Sequence, residues 1–150
     1  MKKFLVALAL VLTVAGCAKT AVDSASFGKT MKTTETVRIY VADPEDPSYP
    51  VADLTSSEDV AEWKEKVATT IEGLSLTKSE DQKNVYGDPL FFVDLNKVID
   101  KNYGRFVYYG DTVVVKSGEE SVNYDVDATS KEAVETLINE MVTAFIGEEE

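Results

Sequence analysis

The clearest alternation in the chain runs from Thr36 to Ala42, where Val37, Ile39 and Val41 interleave with Thr36, Arg38 and Tyr40. A period of two sends successive side chains to opposite faces, so this stretch predicts a half-buried β-strand. Asp43-Pro44 ends it, and Pro44, Pro47 and Pro50 among acids predict a loop as far as Asp53. Thr55-Ser56-Ser57-Glu58 then has the spacing of a capping box. Behind it Val60, Trp63, Val67, Ile71 and Leu74 recur at intervals of three and four, predicting an amphipathic helix that closes near Gly73. Ser75 to Asn84 is polar and reads as an exposed connection.

Leu90 to Leu95 predicts a second strand, and Asn96 to Asn102 one or two helical turns. Three short β runs follow, Arg105 to Tyr109, Thr112 to Lys116 and Ser121 to Val126. Gly110-Asp111 and Ser117-Gly118-Glu119-Glu120 separate them. Connections this short make an antiparallel meander. Thr129 and Glu132 form a second capping-box pattern, and Val134, Leu137, Ile138, Met141, Val142 and Phe145 make one apolar stripe up to Gly147. Both helical stripes are buried if the helices lie on one face of an antiparallel or mixed sheet of about five strands. That is an α+β domain, expected over residues 36–147 with an acidic tail at 148–150.

The first 35 residues lack such a period. Lys2 and Lys3 precede an apolar run from Phe4 to Val14 broken only by Thr13, then small residues and the single cysteine, Cys17. This is the layout of an export signal. As a helix, eleven residues reach about 16 Å, roughly half a bilayer's hydrocarbon thickness, so the run is too short to span. The run Val14-Ala15-Gly16-Cys17 resembles the lipobox of bacterial lipoproteins. The resemblance implies diacylglycerol on the Cys17 thiol, cleavage after Gly16, and loss of residues 1–16 as a signal peptide. It also favours an outer-membrane destination in a host with two membranes, because Ala18 stands where inner-membrane retention uses aspartate. Residues 17–35 hold only isolated Val22, Phe27 and Met31, and are expected to be a flexible tether setting the domain about 20 to 25 Å from its anchor.

Charge and composition narrow the function. Loss of residues 1–16 leaves 13 basic against 27 acidic side chains, a charge of −14. Such a surface repels phosphate backbones and anionic headgroups, which argues against nucleic acid as a partner and leaves membrane affinity to the lipid. With Cys17 lipidated and no histidine in the chain, disulfides, Cys/His zinc sites and every catalytic device built on Cys or His are excluded. No catalytic, cofactor-binding or metal-binding residue is assigned.

The remaining motifs are weak. Gly28-Lys29-Thr30 resembles the end of a phosphate-binding loop, but Asp23 stands where the pattern needs glycine. Ser75-Leu76-Thr77-Lys78, Lys116-Ser117-Gly118 and Ser121-Val122-Asn123 resemble the three motifs of penicillin-binding proteins, with the last two in the wrong order. Asp125, Asp127 and Thr129 have the spacing of a calcium loop, yet Ser130 replaces its glycine and Thr136 its glutamate. Asp43, Glu45, Asp46 and Asp53 form an acidic loop. Trp63 belongs to a helix stripe and reads as core, and about half of Tyr103, Tyr108, Tyr109 and Tyr124 should be buried by strand alternation. In its Phe-Val-Asp-Leu opening, short helical turn and paired β runs, the segment from Phe91 to Val126 resembles the small β-rich stalk-like domain named after the amino-terminal part of copper amine oxidases.

The expected protein is therefore a lipid-anchored envelope module without catalysis, whose partner is another envelope protein. A small-ligand or cation receptor and a carboxylate-based hydrolase are the alternatives.

Overall fold

A computed structural model describes residues 24–55, 57–96 and 103–146. Cys17, the signal sequence, Ser56 of the first capping box, residues 97–102 of the expected helical turns and the tail at 148–150 lie outside them. The elements are α1 (Ser24–Thr33), β1 (Thr36–Ala42), β2 (Pro50–Leu54), α2 (Ser57–Glu72) and β3 (Leu76–Lys78), then β4 (Phe91–Asn96), β5 (Tyr103–Tyr108), β6 (Thr112–Ser117), β7 (Glu120–Val126) and α3 (Ala128–Ile146). The strands form one sheet in the order β2-β1-β4-β5-β6-β7-β3, with every neighbouring pair antiparallel. The class is α+β, as expected. The described residues hold seven strands and three helices where five and two were expected.

Alternation fixes which side of the sheet is covered. Ile39, Val93, Phe106, Val115 and Val122 lie opposite one another in a row, and Val41, Phe91, Tyr108, Val113 and Tyr124 form the next. These rows meet Val60, Val67 and Ile71 of α2 and Val134, Leu137, Ile138 and Met141 of α3 in one core. Both expected stripes thus face the core, with Trp63 and Val142 partly buried at its margin and Phe145 38% exposed. The β6–β7 hairpin closes through Gly118, whose φ of 61° lies where a two-residue hairpin turn needs it.

The tether is the largest correction. Residues 24–33 form α1, which buries Ser24, Phe27, Gly28 and Met31. Positions 24, 27, 28 and 31 are one helical stripe, but two of them are serine and glycine, so the apolar period is faint. Gly28 is small for a reason: a Cβ there would stand 2.6 Å from the Ala68 carbonyl oxygen and 2.5 Å from Glu72 Cγ. Without a side chain at 28 the backbones of α1 and α2 touch, and Phe27 reaches Phe106, ring centroids 5.7 Å apart. The Ser24 hydroxyl donates to the Leu74 carbonyl at 3.2 Å.

Three smaller corrections have local causes. Pro50 begins β2 instead of continuing a loop, which the ladder tolerates because β2 is an edge strand and Pro50 its first residue. β3 adds three residues to the opposite edge from within the expected connection, too few to show a period. The cap of α3 is Asp127 and not Thr129: the Ser130 amide donates to Asp127 Oδ1 at 2.7 Å. That bond holds the Asp127 carboxyl below the usual aspartate range. The Ser130 hydroxyl is used elsewhere, accepting from the Ser75 amide at 2.8 Å.

Candidate interaction surface

The helices cover one face of the sheet, so the other must be accounted for residue by residue. Two cross-strand rows lie on it. The first is Tyr40, Phe92, Val107, Val114 and Asn123; the second is Arg38, Asp94, Arg105 and Lys116. Val107 and Val114 are each only 5% exposed although no helix lies on their side. The segment from Ser79 to Leu90 straps over them. Gln82 gives its amide to Asn123 as a strand residue would, donating to its carbonyl at 3.0 Å and accepting from its N–H at 2.9 Å. The Asn123 side chain donates to the Lys83 carbonyl, and the strap ends where the Ala42 amide donates to the Leu90 carbonyl at 2.9 Å.

Beyond the strap, β2, β1, β4 and β5 carry a charged ladder beside an aromatic pair. Arg38 grips Asp53 with two parallel bonds, Nε to Oδ1 at 2.8 Å and Nη2 to Oδ2 at 2.7 Å. Its Nη1 also lies 3.8 Å from Asp94 Oδ2. Arg105 grips Asp94 from the other side, Nη2 to Oδ2 at 3.0 Å. The Arg38 hydrogen bonds lower the Asp53 pKa, partly offset by desolvation. Both guanidiniums lie against the Phe92 ring, 5.1 and 5.2 Å from its centroid, and Tyr40 stacks on the same ring at 4.6 Å and 11°. Arg38 and Arg105 are the only arginines in the chain.

The arrangement holds its long side chains still. Bidentate pairing and stacking each restrict rotamers that a partner would otherwise have to freeze, at about 0.5–1.5 kcal/mol per side chain. It is also an arginine and aromatic surface, the composition that dominates protein-binding hot spots. No family model, curated protein or solved structure matches the chain. The surface must therefore be read from its own chemistry.

The sequence motifs are scattered by the fold. Ser75 sits before β3 at one end of the sheet, and Lys116 and Ser117 close β6 at the other. Gly28-Lys29-Thr30 is interior to α1. Asp125 accepts the Ser79 hydroxyl at 2.6 Å, while Asp127 caps α3. Of the acidic loop, Asp53 is drawn away to Arg38. Asp43 and Asp46 accept from their own loop, from the Glu45 and Ser48 amides. Among the described residues no group of three carboxylates could hold a metal ion.

Tyr108 and Tyr124 are buried and Tyr109 is half-buried; Trp63 is partly buried against the core. An open polar cleft of about 630 Å³ lies beside the strap, with Thr77, Lys83, Asn123 and Asp125 in its walls. Sequence reading missed the ladder. Alternation alone puts Arg38 and Tyr40 on the outer face of β1, but only the order β1-β4-β5 brings Phe92, Asp94 and Arg105 beside them.

Proposed function

We propose that the protein is a lipid-anchored envelope lipoprotein, held through Cys17, that performs no chemistry of its own and binds a protein partner of the same envelope. The contact would be the outer face of β2, β1, β4 and β5. The observation that carries this reading is the Phe92 ring clasped by Tyr40, Arg38 and Arg105, a rigid patch not covered by a helix. The absence of histidine and the single, lipid-committed cysteine support the non-catalytic part. An acidic chain steers toward a basic patch on its partner, so the on-rate falls as salt rises.

The test places a photo-crosslinking side chain at Thr36, beside the platform, and at Glu132 on α3, in intact cells. One protein should be captured from Thr36 and not from Glu132, and Phe92→Ala should abolish that capture. Equal capture from both positions, or capture indifferent to Phe92→Ala, refutes the surface. The cleft at Asn123 and Asp125 favours a second reading, a receptor for a small polar ligand or a cation. Micromolar affinity for calcium or a sugar in calorimetry, with no protein captured, would select it.

A further inference from the structure

Ser24, where the described chain begins, is 5% exposed and tied to Leu74, and only six residues separate it from Cys17. Six residues extend at most about 25 Å counted from Cys17. The corner reached is fixed by the fold. Ser24 lines a recess with Leu74, Leu76, Tyr124 and Asp127, where β3 begins and β7 ends. By strand register this is also the end that carries the β5–β6 turn at Asp111 and the start of β4. The β6–β7 turn at Glu119 lies at the opposite end, one strand length of about 20 Å away.

We propose that the bilayer surface is the neighbour of this sheet end: the domain stands on the membrane by its Ser24 and Asp111 corner, with its strand axes directed at the headgroups. The inference rests on lipidation of Cys17. Because α1 is docked through Gly28, no more than the six residues 18–23 separate Cys17 from the folded domain. Linker and strand length together keep the Phe92 platform within about 45 Å of the headgroups, measured at full extension. A partner embedded in or anchored to the same membrane can therefore reach that platform without leaving the surface. The end facing the bilayer is acidic, with Asp43, Glu45, Asp46, Asp111 and Asp127 against Lys131, which is paired with Asp111 at 3.3 Å. Headgroup attraction therefore contributes nothing, and the lipid alone holds it there.

The experiment uses the lipoprotein extracted from cells and reconstituted into zwitterionic vesicles. Lipidated Cys17 does not react with thiol dyes, so one introduced cysteine, Asp111→Cys or Glu119→Cys, takes a single donor dye. Energy transfer to acceptor lipids should place the Asp111 site closer to the bilayer by about 15–20 Å. A Gly/Ser insertion of about 20 residues after Ala18 should erase the difference. Equal distances without the insertion, or a nearer Glu119 site, overturns the orientation while leaving the anchor intact. Protein that fails to float with the vesicles, and labels at Cys17 as well, overturns the anchor and the inference with it.

Discussion

Gly28→Ala tests the packing of α1 because two opposite effects of known size meet there. On an exposed helix the change gains about 0.5–1 kcal/mol, since alanine restricts the unfolded backbone that glycine leaves free. Here the new Cβ would lie 2.5 Å from Glu72 Cγ, 2.6 Å from the Ala68 oxygen and 3.0 Å from the Glu72 nitrogen. The Glu72 side chain can swing aside, at the expense of its 3.1 Å ion pair with Lys32. The Ala68 carbonyl belongs to the backbone of α2 and cannot, so α1 must move outward by roughly 1 Å to restore ordinary contact. Overpacking of that kind costs about 1–3 kcal/mol. The clash wins, with a net loss of about 1–2 kcal/mol. In urea, followed by the emission of the single Trp63, the midpoint should fall by about 0.5–1 M at unchanged slope. Lys29→Ala, on the exposed side of α1, should move it little. A Gly28→Ala protein as stable as the wild type, or more so, would refute the docked helix and restore a tether.

Four further outcomes follow from the same structure. A chain beginning at Thr36 lacks Phe27 and Met31, and Phe27→Ala alone should cost about 3–5 kcal/mol, so the truncated chain should show a broad, weakly cooperative melt. Leu137→Asp puts an unpaired carboxylate into a site 3% exposed, at several kcal/mol against a total stability of about 5–15, and circular dichroism should show it unfolded at room temperature. Tyr108 is fully buried, its hydroxyl near the Glu135 carboxylate but without a well-formed hydrogen bond among the described residues, and burial, then the carboxylates of Glu135 and Asp111, raise its pKa. The folded chain keeps that proton after an unfolded tyrosine loses its own near pH 10, so stability falls with pH above about 10; Tyr108→Phe should flatten this fall and melt no lower than wild type at neutral pH. Cys17→Ala should block lipid attachment and leave the signal poorly processed, and a variant that is processed normally and partitions with membranes would contradict the anchor.

What could be read in advance was whatever carried its own period. β1 spans Thr36–Ala42 as its alternation requires, and α2, α3 and the meander follow because each repeats an apolar position several times. α1 escaped because half of its buried stripe is Ser24 and Gly28. A residue of poor helix propensity was chosen there for contact with Ala68, and tertiary packing overrode the local preference. β2 was hidden by Pro50, whose tolerance depends on its being at an edge, and position within a sheet is not a local property. The charged ladder was illegible for the same reason. Arg38 meets Asp94 across 56 positions of sequence, and nothing in either strand specifies that β1 and β4 are neighbours.

The two edges of the sheet bear on what happens when many copies share one surface. Molecules confined to a membrane collide in two dimensions, where an open strand edge invites the next molecule to add its own and start a fibre. At one side the edge strand begins with proline and carries Asp53, already committed to Arg38; at the other it is three residues long. A proline start on one edge and three residues on the other are both devices that blunt strand addition. For the anchored form proposed above, crowding is therefore expected to rise without strand addition at either edge.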